Sequence, residues 1–186
     1  YVDLQQRIVT YDFTGLDQDG SELDQTSKMS FFNPKVGFNY LLNNKTSLYA
    51  FAGVGNKEPS RDDFTESTPN SRPSHENLID IEIGYRYSSE TVSFSANFYN
   101  MQYNNQLILT GELNDVGSAV RVNIPDSYRR GIELTGSFQL MDKLLWRLNT
   151  TFSENKIAEF NEFIDNWDTG GKDLVSHTNT NIAFSP

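Results

Sequence analysis

Polar and apolar residues alternate singly over long stretches of this chain, most cleanly between Leu78 and Asn100. Ile79, Ile81, Ile83, Tyr85 and Tyr87 fall on one parity, and Asp80, Glu82, Gly84 and Arg86 on the other. After Ser88-Ser89-Glu90 the pattern resumes, with Val92, Phe94, Ala96 and Phe98 set against Ser93, Ser95 and Asn97. Successive strand residues point to opposite faces, so a period of two predicts a hairpin. One of its faces is greasy and aromatic and the other charged.

The same unit recurs along the chain. Phe32, Val36, Phe38, Tyr40 and Leu42 alternate with Asn33, Lys35, Gly37 and Asn39. Pro34 sits near the start of that strand, where a missing ladder donor is tolerated. Asn43-Asn44-Lys45 predicts a tight turn, since Asn accepts positive φ. Leu48, Ala50, Ala52 and Val54 then oppose Tyr49, Phe51, Gly53 and Gly55, which leaves the face of that strand open. Ile132, Leu134, Gly136, Phe138 and Leu140 oppose Glu133, Thr135, Ser137 and Gln139, followed by a turn at Met141-Asp142-Lys143. Leu144, Trp146, Leu148, Thr150 and Phe152 come back against Leu145, Arg147, Asn149, Thr151 and Ser153. Residues 1–13 are a first strand of unassigned face, and 175–184 a last one. Residues 14–30, 57–76, 107–119 and 154–174 carry no useful period and read as long polar connections. The fold class is therefore all-β, an antiparallel meander of about eight strands with short turns at one end and long connections at the other.

That alternation of connections separates two architectures. In a bilayer no water satisfies backbone amides, so a spanning sheet must be antiparallel and closed. Tilted strands of about 9–11 residues cross an apolar band roughly 25 Å tall, with short turns on one side and longer loops on the other. The lipid-facing set is then Ile79, Ile81, Ile83, Phe94, Phe98, Ile132, Leu134 and Trp146. Tyr85, Tyr87, Tyr99, Tyr103 and Trp146 lie toward strand ends, where aromatic girdles belong. The opposite set, Lys35, Asp80, Glu82, Arg86, Glu133 and Arg147, is too charged for a dry core and predicts a wet lumen or a polar plug. A soluble β-sandwich that binds sugar explains the alternation of faces but not the pairing of loop lengths. A complete eight-stranded barrel serving adhesion or envelope structure fits the strand count.

Composition narrows the functions. The formal net charge of −10 disfavours a nucleic-acid backbone as partner. With no cysteine there is no disulfide, thiolate nucleophile or zinc–thiolate site. No run of about 18 apolar residues predicts a transmembrane helix. Tyr1 already stands in a strand pattern without a Met or signal peptide, so the chain reads as an excerpt of a longer precursor.

Several stretches carry a resemblance to TonB-dependent outer-membrane receptors, of the Bacteroidota branch in particular. They are Phe32-Asn33-Pro34-Lys35-Val36-Gly37, Tyr49-Ala50-Phe51-Ala52 and Lys57-Glu58-Pro59-Ser60-Arg61-Asp62-Asp63-Phe64. Three more are Glu76 through Gly84, Phe98-Tyr99-Asn100-Met101-Gln102-Tyr103 and Ser127-Tyr128-Arg129-Arg130-Gly131-Ile132-Glu133-Leu134. Each is short, and their order and spacing give the likeness its specificity over nearly the whole length. The resemblance implies a segment from the C-terminal half of a 22-stranded barrel. It implies an outer-membrane location and a lumen holding the receptor's own plug domain. It also implies import of a scarce solute such as an iron chelate, energised by a TonB-type protein that acts on the plug. Neither the plug nor the terminal strand is in this sequence.

No catalytic constellation competes with this reading, and no cofactor is expected. His75 and His177 lack metal-ligand spacing, and Ser60, Ser74 and Ser176 lack a nucleophile elbow. Asp17, Asp19, Gly20 and Glu22 faintly resemble a calcium loop but lack its distal glutamate. Ligand capture is expected in the 57–76 and 154–174 connections, because specificity resides in loops on a rigid scaffold. Arg61 and Arg72 suit an anionic chelate, while Phe160 and Trp167 offer apolar and stacking surface. The face assignment makes a sharp prediction. Ile81→Asp puts a charge into lipid at a cost on the order of 1–3 kcal/mol and should block membrane insertion, whereas Asp80→Asn should leave it intact. Equal insertion of the two, scored in outer-membrane fractions, would reverse the faces.

Overall fold

The computed structural model describes residues 1–16, 20, 22–65, 67, 72–113, 117 and 119–181. They build one sheet of eight antiparallel strands in sequence order. The strands are β1 (Val2–Leu16), β2 (Glu22–Asn43), β3 (Thr46–Lys57), β4 (Glu76–Ser88), β5 (Val92–Leu113), β6 (Ala119–Met141), β7 (Leu144–Asn166) and β8 (Gly171–Asn181). A short helix, α1 (Arg61–Thr65), lies between β3 and β4. Among the described residues β1 and β8 do not pair, and no second sheet packs on the first. The chain is an open wall, neither a closed eight-stranded barrel nor a sandwich.

Directly opposed residues of an antiparallel pair share a face, so the register carries each face across the sheet. Phe38 opposes Ala50, Ala50 opposes Ile83, Ile83 opposes Phe98, Phe98 opposes Ile132, and Ile132 opposes Phe152. The eight residues expected to meet lipid all lie on this face, and they stay open to the surroundings, Ile83 being 56% and Trp146 50% exposed. The register also resolves the ambiguous strand, since Leu48, Ala50, Ala52 and Val54 join the apolar face. Lys35 opposes Gly53, which opposes Asp80, then Met101 and Arg129. Glu82, Arg86, Glu133 and Arg147 share that opposite, charged face.

The apolar band runs obliquely to the hydrogen-bonded rungs. Its uppermost member is Ile79 on β4 but Phe98 on β5, although Ile79 opposes Gln102. Strands that tilt within a level band require this offset. Four or five outward positions per strand cover roughly 20–27 Å of chain, enough for the hydrocarbon of an outer membrane. At the end with the tight turns, Phe38 stacks on Tyr40 at 6.3 Å, Tyr85 meets Phe94 at 6.4 Å and Phe138 stacks on Trp146 at 5.4 Å. Tyr99 and Tyr103 do not belong to this girdle. The register puts them on the charged face, opposite Gly131 and Ser127.

The other end of the sheet differs from the sequence reading. Residues 14–30, 107–119 and 154–174 are largely strand: Tyr11 opposes Ser27, Leu109 opposes Arg121 and Phe160 opposes His177. Above the apolar band both faces of a hairpin are wet, so pairing continues without any hydrophobic period to betray it. Of the four expected connections only the segment between Lys57 and Glu76 remains long. β7 pairs with β6 as far as Ile157 opposite Ser127, and from Lys156 upward with β8. The β5–β6 and β7–β8 hairpins therefore rise as separate arms.

On the charged face three tyrosines lie over glycines. Tyr49 opposes Gly84 and Tyr99 opposes Gly131. A methyl group built on Gly84 would stand 2.0 Å from the Tyr49 ring, and one on Gly37 2.1 Å from the Tyr1 ring. Gly131 is the least tolerant of the three, because its added carbon would meet the Phe152 carbonyl oxygen at 2.4 Å as well as the Tyr99 hydroxyl at 2.7 Å. A backbone oxygen cannot swing aside as a ring can. Gly131→Ala should destabilise the sheet by ~1–3 kcal/mol, the cost of overpacking. It should lower the temperature at which the folded barrel loses its heat-resistant band on a gel, and an unchanged temperature would refute the close approach.

Candidate functional site

Between β3 and β4, residues 58–65 and 72–75 lie over the charged face as a strap. Lys57 Nζ donates to Glu76 Oε1 at 3.0 Å across its base. Glu58 forms an ion pair with Arg7 on β1, whose guanidinium also lies 4.9 Å from the centre of the Phe31 ring. α1 begins with a reciprocal cap: Asp63 Oδ2 accepts from the Ser60 backbone N–H at 2.7 Å, and Ser60 Oγ accepts from the Asp63 N–H at 3.2 Å. Asp63 Oδ1 accepts from Arg121 of β6 at 2.9 Å. Burial raises the Asp63 pKa, but the bonds from Arg121 and Ser60 outweigh it and hold the carboxyl below its ordinary value.

Apolar contacts complete the seat. Phe64 is 6% exposed and packs against Phe13 at 5.2 Å and Tyr11 at 6.0 Å. Burying such a ring contributes about 1.5–3 kcal/mol. His75 sets its edge on Phe31 at 5.2 Å, and Ser74 exchanges two hydrogen bonds with the Asn123 side chain. The strap thus joins β1 to β6, which are not neighbours in the sheet. Beneath it side-chain amides form a chain: Asn33 Nδ2 donates to Gln5, Asn33 Oδ1 accepts from Asn56, and Asn56 Oδ1 accepts from Asn77. This satisfies Asn33, which is only 6% exposed.

A polar recess of about 630 Å³ opens beside the strap, lined by Arg7, Tyr11, Glu58, Asp63, Glu76 and Arg121 among others. Its three cations, Arg7, Lys57 and Arg121, are matched by the carboxylates of Glu58, Asp63 and Glu76, so the recess holds no surplus charge for an anion. A second recess, about 440 Å³, lies lower on the same face between Glu82, Tyr99, Tyr103, Arg129 and Glu133. There Asn97 donates to Glu82 at 3.2 Å, while Asn97 Oδ1 and the neighbouring Asp80 Oδ1 are buried without a hydrogen-bond partner among the described residues. Buried acceptors left open on a wall call for donors from whatever covers it.

The four residues expected to capture ligand do not converge. Arg61 opens α1 and Arg72 precedes Pro73, both exposed and neither lining the polar recess. Phe160 is not in a connection: it lies on β7, stacked on His177 of β8 at 4.7 Å, beside an apolar recess of about 390 Å³ between the two arms. Trp167 stands at the tip of the β7–β8 arm, 91% exposed. The latch residues Arg7, Glu58, Asp63 and Arg121 escaped the sequence reading, although the Ser60–Asp63 spacing carries the signature of a helix start. Asp17 and Asp19 lie outside the described residues. Among those described, no group of three or more acidic or histidine side chains is arranged to hold a metal. No helix is long and apolar enough to cross a membrane, which says nothing of strands.

An oblique apolar band on one face, a charged inner face and hairpins of unequal height at the two ends define the wall of a membrane β-barrel. Residues 5–184 match the family described as TonB dependent receptor-like, beta-barrel, and the chain belongs to that family. A comparison with curated proteins finds no significant match. Among solved structures, the copper transporter OprC shares the fold at a TM-score of 0.72 and 17% identity, over 84% of this chain and 26% of that one. The FrpB iron transporter of Neisseria meningitidis (F3-3 variant) aligns at 0.58 and 18% identity, over 76% of this chain and 21% of its own. The ferric-catecholate import receptor Fiu of E. coli K12 aligns at 0.55 and 17% identity, over 83% and 22%. The chain spans about a quarter of the length of these proteins.

The depressed Asp63 pKa fixes the sign of a pH effect. The Asp63–Arg121 latch holds above the unperturbed carboxylate pKa of about 4 and is lost as pH falls through the lower folded value. Amide hydrogen exchange in residues 58–65, corrected for intrinsic rate, should stay slow from pH 7 to about 4 and rise below that. Arg121→Gln should bring the fast exchange to pH 7. Slow exchange in that variant would mean Phe64 alone seats the strap.

Proposed function

We propose that this chain forms part of the wall of an outer-membrane importer for a scarce metal chelate, most specifically an iron chelate. The single observation that carries the reading is the separation of faces over eight strands, apolar outward and charged inward. A charged inner wall with open acceptors at Asp80 and Asn97 suits a lumen filled by a polar plug domain. In that role Lys35, Asp80, Glu82, Arg86, Glu133 and Arg147 line the plug, which would receive energy from a TonB-type protein. The wall itself catalyses nothing. Iron is favoured over copper because the similar folds include an iron transporter and a ferric-catecholate receptor beside one copper transporter.

Cargo is captured at the end that carries the arms and the strap. Trp167, 91% exposed at the tip of the β7–β8 arm, supplies a stacking surface, with Arg61 and Arg72 as exposed cations of the strap. Phe160, by contrast, serves packing between β7 and β8. Deleting the full-length gene should abolish growth on ferric chelates in iron-limited medium and spare growth on free ferrous iron. Trp167→Ala with Arg61→Gln and Arg72→Gln should reduce uptake of the chelate while the barrel still inserts. A growth defect confined to copper-limited medium would transfer the reading to copper. Normal uptake by the triple variant would remove the arms and strap from capture.

A further inference from the structure

One charged cluster lies on the outward face, away from the strap and from both recesses of the charged face. Immediately over Ile132 and Phe152, the last apolar rung of β6 and β7, Arg130 opposes Glu154 and Tyr128 opposes Lys156. Arg130 donates through Nε and Nη2 to the same oxygen, Glu154 Oε2, at 2.8 and 2.5 Å, and Lys156 Nζ is 2.7 Å from Glu154 Oε1. The Arg130 guanidinium also lies 4.6 Å from the centre of the Tyr128 ring. Two cations therefore share one carboxylate, which they hold at a pKa of about 2, Lys156 contributing most and Arg130 next. The cluster keeps one positive charge at any pH near neutrality, in a chain whose formal charge is −10. Arg130 and Lys156 side chains are 52% and 28% exposed.

The position decides what this charge meets. Resting on the membrane-spanning reading, the rung above the last apolar residues of a barrel wall lies at the depth of lipid headgroups. Its neighbours across the rungs, Asn100 and Gln102 on β5, are neutral donors facing the same way. Arg130 retains Nη1 and Lys156 two further N–H bonds beyond those spent on Glu154. A guanidinium and an ammonium side by side match the oxygens of a phosphate. We propose that Arg130, Lys156 and Tyr128 form a binding site for an anionic phosphorylated lipid headgroup on the outer rim of the barrel, with Glu154 as the internal competitor that holds the two cations in place.

The competitor gives the test its sign. The full-length receptor in detergent micelles is titrated with phosphatidylglycerol, and separately with phosphatidylcholine, and bound lipids are counted by native mass spectrometry. Arg130→Gln with Lys156→Gln should weaken phosphatidylglycerol binding roughly tenfold and leave phosphatidylcholine unchanged. Glu154→Gln should tighten it several-fold, whereas a purely structural cross-strand ladder predicts no gain. Inorganic phosphate at millimolar concentration should not displace the lipid, because the acyl chains anchored on the apolar band are part of the ligand; displacement would identify a site for the free anion and overturn the proposal. Equal affinities in all three proteins would also overturn it. Membrane fractionation of the wild type runs alongside: failure to insert refutes the barrel reading, while insertion with unaltered lipid binding refutes this site alone.

Discussion

A peptide group placed in hydrocarbon finds no water to bond, and each one left open costs several kcal/mol. Everything about this wall follows from that demand. The strands run strictly as neighbours in sequence order, because a meander lets each new strand satisfy the edge of the last. Side chains are then free to differ by face, since the ladder, not a core, fixes the backbone. The interior of an ordinary domain is almost missing here: buried apolar side chains among the described residues are few, and Phe13, Phe31 and Phe64 gather around the strap rather than between layers. The apolar residues that would form a core in a soluble protein have been turned outward.

How much of this was legible depended on what each segment touches. Between Leu78 and Asn100 one face is apolar and the other charged, so the pleat is written directly into the residue order, and register merely extended it. The stretches 14–30, 107–119 and 154–174 have strands of the same kind but no contrast between faces. Thr10 against Lys28 or Asn161 against Ser176 is polar on polar, and such a pair has the composition of a loop. Tyr99 and Tyr103 misled for a related reason. An aromatic near a strand end suits a girdle on either parity, and only the partner across the ladder tells which face it takes. The strap was unreadable because its partners lie far off in sequence: Glu58 meets Arg7, and Asp63 meets Arg121.

The two ends of the wall are stabilised by different physics. Around the tight turns, aromatic rings stack or tilt against one another on the outer face, and strands end together. Toward the arms there is no bilayer to confine the sheet, and cohesion passes to ion pairs and the few rings buried around the strap. Such pairs are individually weak at the surface, but Asp63 is only 8% exposed and its cap and salt bridge act on one carboxylate. The β7–β8 arm lacks a comparable fastening. Among the described residues it is tied to the neighbouring arm by Lys172, which donates to the Gly111 carbonyl, beside which the Phe163 backbone approaches closely. Rigid strap and lightly held arm stand side by side, so any rearrangement at this end has an obvious moving part.

The tyrosines laid over Gly37, Gly84 and Gly131 have a geometric consequence. A tyrosine pointing straight off a sheet would reach several ångströms into the space it encloses. Lying along the next strand, over a residue with no side chain, it adds little more than the thickness of a ring. Arg86 then settles on the Tyr49 ring at 4.4 Å, so even a charged group is folded down against the wall. The inner surface is paved rather than bristled. A wall paved in this way takes up less of the space it faces, and it meets that space with ring faces and hydroxyl groups rather than upright side chains.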